Sequence, residues 1–146
     1  MPSTTHHHLP THECWALLDA ESVGRLCIID HGDPLAFPVN YRVVHDTAGE
    51  RIVFRTSPDA SLARYEGPSS LEVDSITPDR HDAWSVIVHG RLRRSHGEAD
   101  LPDTHPLITE RRHQWLILEV SSISGRRFHS TPTADRFSVD WQSVDV

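Results

Sequence analysis

Lysine is absent from this 146-residue chain, and all fourteen cationic residues are arginine. Chemistry that needs an amine nucleophile or a Schiff base on a lysine is therefore excluded. Cysteine is scarce: Cys14 and Cys27 are too few for a disulfide framework. Both have apolar neighbours (Trp15 and Leu17; Leu26 and Ile28), which reads as packing rather than redox or metal chemistry. No apolar run approaches the roughly 18–20 residues that cross a bilayer. The N-terminus has no basic stretch leading into an apolar one, so no secretory signal is expected and the cytoplasm is the default address. A formal net charge of −7 argues against nucleic acid as a partner. Histidine is plentiful, with twelve residues, yet there is no HExxH and no Cys/His pairing at ligand spacing. His6, His7 and His8 stand together in a polar, Pro-flanked leader, and no metal site is expected.

Ten prolines and seven glycines punctuate a chain of one domain's length, which suits a turn-rich β-protein. Residues 1–10 read as a flexible leader, followed by a short amphipathic helix from Thr11 to near Ala20. A first strand runs from Val23 to Asp30 and turns back at His31-Gly32-Asp33. The next has the clearest alternation: Leu35, Phe37, Val39, Tyr41 and Val43 on one face, Ala36, Pro38, Asn40, Arg42 and Val44 on the other. Pro38 marks an edge, a bulge or a place where something other than a strand meets the backbone. Arg51 to Arg55 returns as a third strand. Ser57-Pro58-Asp59 carries the signals of a helix start, with Gly67-Pro68 as its stop. Further strands are expected at Ser70–Ser75, Trp84–Arg94 and Trp115–Val120. Residues 95–112 form an excursion, and everything beyond Phe128 is a polar tail. Six strands joined by short turns predict an antiparallel barrel.

The segment Phe54-Arg55-Thr56-Ser57-Pro58-Asp59-Ala60-Ser61 carries the clearest chemistry. A strand delivers a guanidinium and two hydroxyls onto a helix N-terminus, an arrangement that suits a phosphate. The plainer alternative is that Ser57 only caps the helix while Arg55 pairs with Asp59 or Glu72. Asn40 stands on the polar side of its strand and could read the edge of a heteroaromatic ring. Trp84-Ser85 opens another strand, where Trp is a rim or core residue in most proteins.

These pieces also occur in a recognisable order: Val23-Gly24-Arg25-Leu26, Pro38-Val39-Asn40-Tyr41, Val53-Phe54-Arg55-Thr56, Glu72-Val73-Asp74, Trp84-Ser85-Val86, and Ser124-Gly125-Arg126-Arg127. The pattern resembles the pyridoxamine 5′-phosphate oxidase-like family of flavin-binding split barrels, in its small actinobacterial and nitroimidazole-reductase-like branch. The resemblance spans about residues 10–128. It implies a six-stranded antiparallel split β-barrel with short flanking helices, over 11–128, between a leader (1–10) and a tail (129–146). It also implies a homodimer with two equivalent sites for FMN at its interface. Arg55, Thr56 and Ser57 would hold the phosphate, with Ser61 a further donor and Phe54 beside them in the cofactor site; Val39, Asn40 and Tyr41 would flank the ring, and Trp84 and Ser85 would line the site. One departure stands out. Where the family carries a phosphate-binding Lys, this chain has Ser61, with Asp59 two residues before it, a change that costs an anion site about 1–3 kcal/mol.

A flavin brings its own redox chemistry, so the expected activity is transfer of a hydride or electron pair to a small substrate. Tyr41, Trp84 and His89 would shape the substrate side, with His89 either a proton donor or a surface residue. The alternatives are a reductase using the deazaflavin coenzyme F-420 and a non-catalytic module that binds flavin or haem.

Overall fold

The computed structural model describes residues 4–57, 60–97 and 114–130. Its elements are strand β1 (Thr4–His8), helix α1 (Thr11–Ala20), β2 (Val23–Asp30), β3 (Asp33–Asp46), β4 (Gly49–Thr56), a 3₁₀ turn (Ser61–Arg64), β5 (Gly67–Thr77), a second 3₁₀ turn (Pro78–Arg80), β6 (Asp82–Arg94) and β7 (Gln114–Ser130). Every strand pairing is antiparallel. Six strands close a ring in the order β7-β4-β3-β2-β5-β6, with β6 returning to β7, and β1 is added outside on β7. The closed antiparallel ring is what the turn spacing predicts, and it is the split-barrel architecture that the resemblance implies.

Local chemistry sets the connections. The β2–β3 hairpin closes over His31 and Gly32, both at positive φ (49° and 85°), the two-residue turn whose twist matches antiparallel strands. At the next hairpin the Asp46 carboxylate accepts the Ala48 N–H at 2.8 Å, holding the turn between β3 and β4. Inward side chains from all six ring strands, among them Leu26, Tyr41, Phe54, Leu71, Val88 and Leu116, are fully buried in one core. Helix α1 adds Cys14 and Leu18 to it, both at 0% exposure. It lies close on β7 because Gly125 has no side chain: a Cβ there would stand 2.7 Å from Cys14 Sγ.

Three expectations are corrected. Thr4–His8 is a strand rather than a leader without structure, pairing with β7 from Thr4↔Ser130 to His8↔Arg126. The far half of β7 is bonded to β6 on one side, and its other edge supplies the backbone partners that order the leader. Likewise β7 does not stop at Val120. Polar residues 121–130 continue it because β6 pairs with them as far as Asp82↔His129, so the ladder overrides composition. The helix expected from Ser57 to about Glu66 is a four-residue 3₁₀ turn, with Ala60 at its N-cap in extended conformation and no side-chain cap. So short a segment, ahead of Gly67-Pro68, cannot repay the cost of helix nucleation. Pro58 and Asp59 lie outside the described residues, as do 98–113, most of the expected excursion, and 131–146. Among the described residues no helix is long and apolar enough to cross a membrane.

Candidate cofactor site

Strand β3 is longer than its partner β4. Their ladder runs from Asp46↔Gly49 to Tyr41↔Phe54, while β2 pairs β3 down to Asp33. Residues 33–40 are therefore bonded on the β2 side only, and on the other side just the last two residues of β4, Arg55 and Thr56, reach past the ladder. Pro38, which has no N–H to give a ladder, falls in this open edge, one of the settings its sequence position implies.

Alternation along the strands divides the candidate residues. Val39 is half-buried against the core, while Tyr41, Phe54 and Trp84 belong to it, at 0%, 0% and 6% exposure. The Tyr41 hydroxyl donates to the Leu18 carbonyl at 2.8 Å, tying β3 to α1. Burial, reinforced by Glu21 and Asp19, pushes this phenol far above its ordinary pKa, so it stays protonated. A ligand at this level would meet these residues through backbone alone.

The outward set forms a single row. Arg55 pairs with Trp115 and stands one step past Tyr41↔Phe54, opposite Asn40. Asn40 pairs with Val23, whose register continues to Asp74; Asp74 pairs with Ser85, and Ser85 with Arg126. The row winds around the ring, so it does not converge. Asn40 and Arg55 are neighbours, whereas Ser85 lies three strands from Asn40, roughly 14 Å around the sheet. On β7's other side, the residue beside Trp115 is Ser95, not Ser85: the Ser95 N–H donates to the Trp115 carbonyl at 2.9 Å.

Each half has its own chemistry. At the first, the Arg55 guanidinium carbon stands 5.5 Å from the centre of the Trp115 ring, a cation–π contact that orients its donor fork. Thr56 and Ser57 follow, both half-buried, and the Ser57 carbonyl accepts the Ala60 N–H at 3.1 Å. Ser61 is exposed. With only a 3₁₀ turn here there is no helix macrodipole, so recognition of an anion falls to Arg55 and the hydroxyls. At the second half, Ser85 is 8% exposed. Beside it Arg126 Nη1 is buried and has no hydrogen-bond partner among the described residues. A buried guanidinium donor left without a partner is costly, which suits a group that meets an anionic or carbonyl oxygen from outside the chain. Between the halves Arg25 bonds Glu72 and Asp74, each at 2.6 Å.

Trp115 and Arg126 are absent from the expected site. Trp115 reads as a strand start, and only the register shows it beneath Arg55. Arg126 was legible as part of Ser124-Gly125-Arg126-Arg127, but its direction depends on the unexpected continuation of β7. The expected trio of Tyr41, Trp84 and His89 does not assemble: two are core residues, and His89 points outward four residues beyond Ser85, about 13 Å along β6.

A closed antiparallel ring with a half-open third strand defines a split-barrel protein. The chain belongs to the pyridoxamine 5′-phosphate oxidase family, whose model matches residues 10–127. Among solved structures it is similar to the FAD-binding protein from Mycobacterium smegmatis, with 28% identity, a TM-score of 0.70, and 84% of this chain and 100% of that one covered. It is also similar to a conserved protein of unknown function from Corynebacterium diphtheriae (26% identity, TM-score 0.72, 84% and 98% covered). An FAD-binding protein from Mesorhizobium loti shares the fold at 23% identity and a TM-score of 0.66, with 86% and 98% covered. No curated protein matches the chain in sequence.

Proposed function

We propose that this protein binds a flavin through the riboflavin 5′-phosphate common to FMN and FAD, and passes electrons from it to a small molecule. The observation that carries the reading is Arg55, fixed over Trp115 at the end of β4 beside the open edge of β3. Its fork, with Thr56 and Ser57, takes the phosphate; the β3 edge and Asn40 meet the ring. A flavin supplies hydride and electron transfer when bound, and the chain supplies orientation and exclusion of water. FMN is the expected form. The relatives from M. smegmatis and M. loti are described as FAD-binding, so both belong in the test.

The spread of the row supports a two-fold dimer. Asn40 and Arg55 of one copy would face Ser85 and Arg126 of the second, completing two equivalent sites. Val23 and Ile76, 45% and 50% exposed on the outward face flanking Asp74, suit such a contact. A deazaflavin with an acidic tail is less well served. Arg25, Arg51 and Arg93 are each already paired with carboxylates of this chain.

Absorbance spectra of the purified protein, alone and after addition of FMN, FAD or F-420, test this directly. A shifted and structured flavin band with FMN or FAD is the expected result. No saturable change with either, or binding of F-420 alone, rules the proposal out.

A further inference from the structure

At the opposite end of the ring, outward residues of β2, β5 and β6 line a cavity of about 400 Å³, within the range that holds small organic molecules. Register sets Cys27 opposite Ser70 and Ser70 opposite His89, so three reactive side-chain types stand in line across three strands. Ile29, Pro34 and Pro68 make apolar walls, and Ile29 is left 55% exposed. The β6–β7 ladder shifts register between His89 and Gly90, leaving Ser121 as the extra residue of a bulge. At Gly90 a Cβ would collide with the Glu119 carbonyl, so only glycine lets the two backbones approach there. Bulges of this kind re-aim the adjacent side chain, and here that side chain is His89.

The polar atoms can be accounted for one by one. The Ser69 hydroxyl donates to the Cys27 carbonyl at 2.8 Å, and the Ser121 hydroxyl to the His89 carbonyl at 3.0 Å. Ser70 Oγ is 2.9 Å from His89 Nδ1. Among the described residues this leaves His89 Nε2 and the Cys27 thiol without a hydrogen-bond partner. No arginine and no carboxylate lines the cavity, so nothing there would neutralise a charged ligand.

We propose that this cavity is a second binding site, separate from the flavin row, for a neutral, compact apolar molecule bearing one hydroxyl or carbonyl. The polar head bonds His89 Nε2, whose ring is held by Ser70. The body lies against Ile29, Pro34 and the Cys27 thiol. The site rests on the groove itself and not on the flavin reading.

Titration of the full chain with 2-naphthol, followed by its fluorescence and by amide NMR shifts, tests the site. Saturable binding is expected, with shifts at Cys27, Ser70 and His89. His89→Ala, at an exposed position, should weaken binding about three- to tenfold, the range for one lost hydrogen bond. Ile29→Trp, also at an exposed position, should abolish it by filling the cavity, while Arg55→Ala leaves it unchanged. Non-saturable binding, shifts confined to the Arg55–Trp115 end, or parental affinity in His89→Ala or Ile29→Trp would overturn the proposal. A protein that binds 2-naphthol in this way but takes no flavin would defeat the flavin reading alone.

Discussion

Asn40 and Tyr41 are adjacent in sequence and lie on opposite faces of the same strand. The same is true of Arg55 and Phe54, and of Ser85 and Trp84. In each pair the aromatic residue is sealed in the core, while its polar neighbour joins the outward row. A motif that reads as one binding patch along the chain is thus divided by the period of two into a part that builds the fold and a part that faces outward. The inward half should govern stability and the outward half affinity, and substitutions can separate the two.

Phe54→Ala should have the largest effect, a loss of about 3–5 kcal/mol in chemical denaturation, because a fully buried aromatic side chain leaves a cavity at the centre of the ring. Retained stability would show that β4 is not the core strand described. Tyr41→Phe keeps the ring but removes the bond to the Leu18 carbonyl, at a cost of about 1–2 kcal/mol. It should leave flavin affinity near that of the parent. A clear loss of affinity would move the Tyr41 side chain from the core to the ligand. Asn40→Ala makes the reverse forecast: an unchanged melting temperature, with flavin binding about three- to tenfold weaker.

The smallest effect concerns pH. Burial first, then Asp74, holds the Glu72 carboxyl above its ordinary pKa, against the pull of Arg25. Folding therefore disfavours the ionised form, and this penalty is absent below the pKa of the unfolded chain and complete above the raised one. Glu72→Gln should be slightly more stable than the parent at pH 7, since Asp74 still pairs with Arg25. The gain should vanish as pH falls below 4.5, the ordinary value. Thermal melts across that range read it out, and a variant less stable at pH 7 would show that the Arg25–Glu72 bond outweighs the burial cost.

Much of the fold was legible because local signals agreed with the ladder. The alternation from Leu35 to Val43 and the turns at His31-Gly32 and Asp46–Gly49 placed β2 to the residue and β3 and β4 to within two residues at each end. What was missed depended on pairing partners that local composition does not reveal. Residues 4–8 and 121–130 look polar and loose, yet the ladders of β7 order both. The cap signals at Ser57 lead to no α-helix but to a 3₁₀ turn at Ser61–Arg64, because such signals describe how a helix begins and not whether enough residues follow. For the site, the residue types were visible but their directions were not. Only register shows that Arg55 rests on Trp115, that Arg126 stands beside Ser85, and that the halves face different ways around the ring.

The most direct test of this division is Arg55→Ala, with stability and flavin affinity measured on the same preparation. The guanidinium stands on the outward face, so the melting temperature should stay close to that of the parent. FMN or FAD affinity should fall about ten- to more than a hundredfold, as expected for loss of a charged hydrogen bond of roughly 1.5–3 kcal/mol. A variant that binds flavin as the parent does, yet melts earlier, would make Arg55 a structural partner of Trp115 and contradict the account.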